Sequence, residues 1–475
     1  MLDIIKKVLD IIKKVYGENI MKVTRRKFVA GAGSLAFAGL TNYLSGCSYD
    51  AKSKSIPAYG PLVEARDAIL DLPEGFSYKT ISRQGDQMDD GYVVPKNADG
   101  MGCFALEGSK VALVRNHEIG HKNPDPEELK KLKPLLSHAY DHTDVGEPLL
   151  GGTTTIIYDV AEEKRVSEYY SLVGTSTNCA GGITPWGSWL TCEETTRKSG
   201  EGCQHDHGWV FEVLANANGP VKPIPLKAMG RFNHEAAAVD PRTGIVYLTE
   251  DRENSLFYRF IPNVYGDLLK GGKLQALGVQ DVASGFDSRN WDGRSFEPES
   301  WRNVRWIDLE NIESPEDDLR MRGFKNGAAV FARGEGIFWG DNELYFCCST
   351  GGVKNLGQVM RYKPSLNEGK PDEAVDPGRL QLFFESVQKE TFGLGDNITV
   401  APNGHLIICE DHYDGTINHI RGITPSGELY TLAKVNVKSE TAGVCFSPDG
   451  TTMFVNVQYP TQTLAIKGPW TQFLL

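Results

Sequence analysis

One short unit recurs along this chain and limits the folds that it can adopt. Each copy begins with small, glycine-rich residues, turns, and then runs as an apolar strand into polar or acidic residues. Six copies are recognisable, at residues 102–118, 178–194, 233–251, 326–349, 396–411 and 441–458. Short strands separated by turns at repeated spacing are typical of β-sandwiches and β-propellers. The six copies therefore predict an all-β fold, a six-bladed β-propeller, with five blades as the alternative.

Two stretches break the regular spacing and are predicted to be small helical or irregular insertions. One lies near 120–148 and contains a short helical pattern, and the other lies near 265–322 and is rich in tryptophan and charged residues. A linker with lysines, serines and prolines occupies 47–62. Because β-propellers of this length occur as single units, we predict one propeller domain over 63–475.

The N-terminal residues carry the pattern of an export signal. Residues 24–27 read Thr-Arg-Arg-Lys, a twin-arginine motif, and residues 44–47 read Leu-Ser-Gly-Cys, which matches a bacterial lipobox. The apolar run between them is short and broken by glycines, which does not suit a membrane span. A buried first helix is the alternative. We predict a twin-arginine lipoprotein-type signal region over 1–46, with translation starting at Met21 and a lipid on Cys47.

These features also predict the location and the partners of the protein. We expect export by the twin-arginine machinery to the periplasmic or cell-surface face, and attachment to the membrane through the lipid anchor. The net charge is −12, and a surface of this sign repels phosphate backbones, so nucleic acid is not expected as a partner. An anionic substrate would need local positive charge, which metal ions supply. We expect a monomer.

Metal ligands are predicted where the repeats would meet. A propeller brings equivalent strand ends from distant repeats together around one axial channel. Cys179 follows an asparagine in a glycine-rich loop outside the apolar strands, so metal ligation is favoured over a buried thiol or a disulfide. Glu118 and Glu235 each end an Asn-His-Glu triplet, where ligation competes with a salt bridge or strand capping. Carboxylates suit calcium and a thiolate selects a transition metal, so we predict a mixed site.

A positively charged residue is predicted beside these ligands. Arg333 and Glu335 are two residues apart, so on an extended chain their side chains point to the same side. A surface ion pair is the simplest interpretation, but the glycines around them and their place within one repeat favour the channel. An arginine beside metal ions is suited to hold a phosphate or a carboxylate.

Several motifs taken together resemble those of the PhoX alkaline phosphatases. They are Asn-Cys-Ala-Gly-Gly at 178–182, Cys-Glu-Glu at 192–194, Asn-His-Glu at 233–235, Arg-x-Glu-Gly at 333–336, Cys-Glu-Asp at 409–411 and the segment 441–450. The resemblance covers about residues 63–458. It implies a β-propeller that hydrolyses small phosphate esters, with ferric iron and calcium ions in its channel.

The same resemblance implies roles for individual residues. Cys179 would be the thiolate on iron, and Glu235 and Glu335 would be carboxylate ligands. Asn178 would contribute to the same cluster, and Arg333 would bind the substrate phosphate. Further oxygen ligands would be Glu118, Glu194, Asp411 and Glu440, with Asp251 and Asp396 as weaker candidates. Catalysis would then depend on Arg333, Cys179, Glu235 and Glu335.

Two other functions remain open at the level of sequence. The chain contains no convincing Ser-His-Asp set, P-loop or GxGxxG motif, so covalent hydrolases and nucleotide-binding folds are not favoured. A calcium-dependent lactonase-type propeller hydrolase would need neither a thiolate ligand nor an arginine for phosphate. A non-enzymatic, calcium-stabilised propeller that binds a partner is the remaining alternative. Measurements of metal content and phosphatase activity distinguish the phosphatase, the lactonase-type hydrolase and the non-enzymatic propeller.

Overall fold

The computed structural model describes residues 56, 58–120, 126–282 and 284–472. The predicted signal region, the lipid site at Cys47 and most of the predicted linker lie outside these residues. Within the described part of the chain, no helix has the length and apolar character needed to cross a membrane.

The described chain begins with three short strands and then forms antiparallel meanders, each a group of consecutive paired strands. The first three strands are β1 (Leu62–Val63), β2 (Leu70–Pro73) and β3 (Ser77–Arg83). The first meander contains β4 (Ala98–Ala105), β5 (Lys110–His117), β6 (Gly151–Asp159) and β7 (Lys164–Thr175). The second meander contains β8 (Asn178–Ile183), β9 (Ser188–Glu193) and β10 (Val210–Leu214).

The third and fourth meanders belong to one nine-stranded sheet. The third contains β11 (His234–Val239), β12 (Val246–Glu250), β13 (Tyr258–Pro262) and β14 (Gly272–Val279). Strand β15 (Trp301–Asp308) pairs with β14 and with the last strand of the fourth meander. The fourth contains β16 (Gly334–Trp339), β17 (Leu344–Cys348), β18 (Gln358–Lys363) and β19 (Arg379–Glu385).

The fifth and sixth meanders are completed by strands from the start of the described chain. The fifth contains β20 (Gly395–Val400), β21 (Leu406–Glu410), β22 (His419–Ile423) and β23 (Leu429–Val435), and β2 and β1 extend it. The sixth contains β24 (Thr441–Phe446), β25 (Thr452–Val457) and β26 (Gln462–Lys467). Strand β3 pairs with β26 as the fourth strand of this sheet, so both ends of the described fold are tied into sheets.

The few helices lie between strands. They are α1 (Pro126–Leu132), α2 (Leu319–Lys325) and short 3-10 turns at Lys133–His138, Lys227–Met229, Leu268–Lys270 and Pro371–Ala374. The stretch near 120–148, predicted to be an insertion, contains α1 and the first 3-10 turn between β5 and β6. The stretch near 265–322 contributes β14 and β15 to the nine-stranded sheet and also contains most of α2.

The first strands of the meanders contact one another in a closed cycle. Strand β4 contacts β8, β8 contacts β11, β11 contacts β16, β16 contacts β20, β20 contacts β24, and β24 returns to β4. The later strands of each meander lie progressively outwards, because each pairs only with its neighbours in the sheet. The protein is therefore all-β with a propeller-like arrangement of sheets, which confirms the predicted fold class at this level.

The strands are apolar on both faces because neighbouring sheets pack against each other. In β21 all five residues of Leu406–Glu410 are buried. Such strands read as continuous apolar runs rather than as an alternation of apolar and polar residues. This explains why the sequence repeat was visible as apolar runs that end in acidic residues.

Glycines in the second meander allow two first strands to approach closely. A Cβ on Gly182 would lie 2.0 Å from the carbonyl oxygen of Ala237 in the adjacent β11. We expect Gly182→Ala to lower the free energy of unfolding by about 3 kcal/mol, because backbone atoms must move to relieve the overlap. Chemical denaturation measures this change. Gly340→Ala is the matched control, since its Cβ would lie 3.5 Å from the nearest atom, and an equal loss in both variants would contradict the prediction.

Candidate active site

The same backbone irregularity recurs at the start of every meander. Each first strand has a register shift against its second strand, within its first five residues. A β-bulge leaves a residue outside the ladder and redirects its side chain. In the first five meanders the second residue of the first strand lies at this bulge: Asp99, Cys179, Glu235, Glu335 and Asp396. Five of the six first strands thus present one functional side chain each.

A second set of side chains comes from the residue that follows the second strand. These residues are Glu118, Glu194, Asp251, Asp411 and Gln458. Because the second strand is antiparallel to the first, its end lies beside the start of the first strand. Both sets therefore meet at one end of the ring of first strands.

Together these side chains line a cavity of about 220 Å³, here called the acidic cavity. Nine carboxylates, one thiol and one guanidinium face it, with a tyrosine and a glutamine: Asp99, Glu118, Cys179, Glu194, Glu235, Asp251, Arg333, Glu335, Asp396, Asp411, Tyr413, Glu440 and Gln458. The structure thus brings together every predicted site residue except Asn178.

Cys179 lies among carboxylates from the first, second and third meanders. Its Sγ is 3.3 Å from Oε1 of Glu235, and the thiol is buried. Potential ligand atoms lie within 4.8 Å of one another in two sets that share it, one with Asp99 and Glu118 and one with Glu194 and Glu235. Every cysteine in the described residues is free of disulfides. The position of Cys179 therefore suits a soft metal ligand in an otherwise oxygen-rich site.

The remaining carboxylates extend this arrangement around the ring. Oxygen atoms of Glu235, Glu335 and Asp396 lie within 4.8 Å of one another, and so do those of Asp396, Asp411 and Glu440. Glu235 and Asp396 each belong to two sets. The ligand atoms thus form a continuous chain of overlapping groups, which suits several ions rather than one.

The acidic cavity is electrostatically unfavourable without compensating cations. Burial, and then neighbouring carboxylates, raise the pKa of Asp99 to about 7 and that of Glu118 to about 8. The same causes raise the pKa well above its usual value at Cys179, Glu194, Glu235, Glu335, Asp396 and Glu440. Buried like charges stay ionised only when cations neutralise them. The carboxylates and the thiol of the acidic cavity therefore require bound cations to be ionised together.

Two oxygen atoms support the same conclusion independently of charge. Oδ1 of Asp99 and Oδ1 of Asp396 are buried and accept no hydrogen bond within the described structure. Leaving such an atom without a partner typically costs about 1–3 kcal/mol. Both atoms face a cavity lined by other oxygen donors, so the residues present fit a group of metal ions.

Arg333 is held at the side of the acidic cavity by two partners. Its Nε and Nη2 donate to the two carboxylate oxygens of Asp251, each at 2.7 Å, and its Nη1 donates to the Tyr413 hydroxyl at 2.8 Å. Nη2 also lies 3.4 Å from Oε1 of Glu335. The backbone φ of Arg333 is 52°, a left-handed conformation that non-glycine residues seldom adopt and that often occurs at functional sites.

Asn178 differs from its prediction. Its side-chain Oδ1 accepts a hydrogen bond from Thr175 at 2.6 Å, and its Nδ2 donates to Thr191 at 2.9 Å. The side chain therefore stabilises the packing between strands instead of lining the acidic cavity. The physical reason is the bulge, which starts one residue later and turns Cys179 rather than Asn178 towards the axis.

Three residues of the acidic cavity were missed in the sequence. Gln458 donates to Asp99 at 3.2 Å and to Glu118 at 2.9 Å, and so joins two candidate ligands. Tyr413 contacts Arg333, as described above. Asp99 could have been found by aligning the residues just before each glycine-rich start, because it is equivalent to Cys179 and Glu235.

The histidines of the two Asn-His-Glu triplets lie outside the acidic cavity. Nδ1 of His117 lies 2.8 Å from the Lys96 carbonyl, and Nε2 of His234 lies 3.0 Å from the Gly230 carbonyl. Asn233 has a supporting role, since its Nδ2 donates to Glu194 at 2.9 Å. The triplet thus supplies one candidate ligand and the residues that position it.

A separate buried cluster contains Asp141, Cys203 and His207. Its atoms are already engaged: Nε2 of His207 lies 3.0 Å from Asp141, and Nδ1 lies 2.7 Å from Glu193. The Cys203 thiol donates to the carbonyls of Lys198 and His205 at 3.2 and 3.4 Å. Because both ring nitrogens are used by carboxylates, this cluster is a structural ion network.

Comparison with known proteins places this chain in a family. The model of the family described as alkaline phosphatase PhoX matches residues 57–461. Among solved structures, Pseudomonas fluorescens PhoX in complex with vanadate, a transition state analogue, is 18% identical, with a TM-score of 0.64, and covers 87% of this chain and 97% of that chain. A gluconolactonase from Xanthomonas campestris is 13% identical, with a TM-score of 0.41, over 87% of this chain and 99% of that chain. No curated protein sequence matches the chain.

Proposed function

The chain belongs to the alkaline phosphatase PhoX family and is a hydrolase of phosphate monoesters, and we propose that the acidic cavity is its active site. The observation that carries this proposal is the convergence of nine carboxylates and a thiol with a single arginine on one cavity. Carboxylates alone would repel a phosphate ester. A cavity of this composition can accept one only when bound cations reverse its charge.

We assign the cations from the donor atoms. Cys179, with Glu194 and Glu235, would hold ferric iron, because a thiolate favours a transition metal. The groups made only of oxygen donors, which contain Glu335, Asp396, Asp411 and Glu440, would hold calcium. When bound, these ions would supply positive charge to the phosphate oxygens and lower the pKa of water in the cavity.

Arg333 would bind the phosphoryl group that is transferred. Asp251 and Tyr413 occupy three of the five N–H groups of the guanidinium. The second N–H of Nη1 remains for a substrate oxygen, whereas Nη2 also lies 3.4 Å from Oε1 of Glu335. The bidentate contact with Asp251 fixes the plane of the guanidinium before substrate binds. Such preorganised donors stabilise the charge that develops in the transition state without reorganising during the reaction.

The propeller would have six blades. The support is the closed cycle of six first strands, each of which opens one meander and carries the same bulge. The second meander would be a three-stranded blade, and β15 would bridge the third and fourth blades. This propeller domain would span residues 63–475 and would follow the signal region (1–46) and the linker (47–62).

The protein would act outside the cytoplasm. The twin-arginine motif and the lipobox that ends at Cys47 support export by the twin-arginine machinery and a lipid anchor. This location would give a monomeric phosphatase access to small phosphate esters at the periplasmic or cell-surface face. Export of an already folded protein also suits an enzyme whose active site needs several ions at once.

Metal removal tests the proposed active site. We expect the purified protein to contain iron and calcium and to hydrolyse p-nitrophenyl phosphate. A calcium chelator should lower kcat by about 10²-fold or more, since the charge of the acidic cavity is then uncompensated, and added calcium should restore it. Elemental analysis and a chromogenic assay measure both. Full activity after chelation, or a protein without iron, would contradict the assignment.

A further inference from the structure

An open cleft of about 750 Å³ adjoins the acidic cavity, and we call it the basic cleft. Glu118 and Glu194 line both spaces, so they separate the cleft from the candidate metal ions. Three cationic side chains also line the cleft: Lys96, Arg197 and Arg252. A phosphate ester whose phosphoryl group reaches Arg333 would therefore extend past the two glutamates into a second space that contains cationic side chains.

The two arginines of the basic cleft are not neutralised by acidic side chains. In the described part of the chain, no carboxylate lies within 4.0 Å of the guanidinium of Arg197 or Arg252. Nε of Arg197 donates to the carbonyl of Glu201 at 2.9 Å, and Nη1 of Arg252 donates to the carbonyl of Asp251 at 3.1 Å. Lys96 differs, because it pairs with Glu128 at 3.2 Å.

Arg197 has an unused donor in a buried position. Only 8% of its surface is exposed, yet its Nη1 makes no hydrogen bond within the described structure. A buried charged donor without a partner is costly, and it persists where a ligand supplies the missing acceptor. The one acidic side chain of the cleft outside the acidic cavity, Glu201, uses a carboxylate oxygen to accept from the backbone N–H of Lys198 at 3.0 Å.

The arginines of the basic cleft are available to the leaving group of the substrate, because the transferred phosphoryl group would be bound at Arg333 in the acidic cavity. Resting on the function proposed above, we propose that the basic cleft selects phosphate monoesters whose leaving group carries a second oxyanion. Arg197 and Arg252 would bind that group, since guanidinium groups match the planar or forked oxygens of carboxylates and phosphates. Because the whole chain carries a net negative charge, an anionic leaving group is repelled by most of the surface and attracted to local sites with cationic side chains such as this cleft.

Paired substrates test the proposal on the metal-loaded enzyme. Phenyl phosphate has an uncharged leaving group, 4-carboxyphenyl phosphate adds a carboxylate, and hydroquinone bisphosphate adds a phosphate to the same ring. We expect kcat/KM to be about tenfold higher for the two charged substrates than for phenyl phosphate, mainly through KM. The ratio should fall as ionic strength rises. The two charged substrates also show which oxyanion the cleft prefers.

Variants locate the source of this preference. Arg252→Gln and Arg197→Gln should each lower kcat/KM for the charged substrates several-fold more than for phenyl phosphate, and Arg252→Lys should restore part of the ratio. Arg252 is only half-buried, so its variants keep the test valid if Arg197→Gln fails to fold. Arg66→Gln is the control, because its side chain is 96% exposed and it does not line the cleft.

Two failures are distinguishable. If none of the three esters is hydrolysed by the loaded enzyme, the proposed active site is wrong. If phenyl phosphate is hydrolysed but the charged substrates show no advantage, or if both arginine variants keep the wild-type ratio, the assignment of the basic cleft is overturned while the phosphatase function stands.

Discussion

Replacing Cys179 by alanine is expected to remove iron from the protein and to lower kcat for p-nitrophenyl phosphate by about 10³-fold or more. Cys179 is the one thiol among the described residues that line the acidic cavity, and its Sγ lies 3.3 Å from Glu235. It is shared by two sets of candidate ligands, one with Asp99 and Glu118 and one with Glu194 and Glu235. Its loss therefore removes the soft ligand and loosens the carboxylates around it.

Cys445→Ala provides the matched control for this experiment. Cys445 is also buried in a first strand, but it lines the apolar space formed by the later residues of the first strands rather than the acidic cavity. Elemental analysis and kinetics on both variants should show iron and activity lost only in Cys179→Ala. If Cys179→Ala keeps its iron, the thiolate is not the ligand and the assignment must move to the oxygen donors. The circular dichroism spectrum of each variant checks that the fold is retained.

The acidic pairs show what the sequence could and could not predict about the site. Three second strands end in two consecutive acids, and in each pair only the second acid faces the acidic cavity: Glu194, Asp251 and Asp411. The first acid of each pair points the other way, because neighbouring side chains in extended chain alternate. Glu193 contacts His207, Glu250 accepts from Tyr258 at 2.7 Å, and Glu410 accepts from Arg421 at 2.9 Å. The sequence pattern predicted which strand ends contribute to the site, but not which acid of each pair faces the acidic cavity.

The bulges limited the prediction of the first strands. The period of the repeat and its apolar runs were sufficient to predict an all-β, propeller-like fold. In the first meander, however, the repeat was aligned on Gly102 and Cys103, three residues after the bulge, and Asp99 was missed. The family resemblance implied Asn178 as a ligand, but Asn178 still pairs with Glu193 in the ladder and the register shift begins after it. A bulge is a backbone feature without a fixed residue type, so its position is decided by contacts between distant strands.

The buried ion network around His207 is expected to control stability, and it lies apart from the acidic cavity. Removing one partner from such a network leaves a buried charge without compensation. We therefore expect His207→Gln to lower the free energy of unfolding by about 3–5 kcal/mol near pH 6. Chemical denaturation measures the difference. His138→Gln, at an exposed position, is the control and should change stability by less than about 0.5 kcal/mol.

The pH dependence of this difference tests its physical cause. Burial lowers the pKa of His207, but the charge of Glu193 and the hydrogen bond to Asp141 outweigh it and raise the pKa to about 11. A group whose pKa is raised by folding stabilises fully below its unfolded pKa, about 6.5, and the contribution disappears as pH rises towards the folded value. The difference between wild type and His207→Gln should therefore shrink between about pH 6.5 and 11. A difference that stays constant over this range would show that packing, rather than the charge of His207, stabilises this part of the fold.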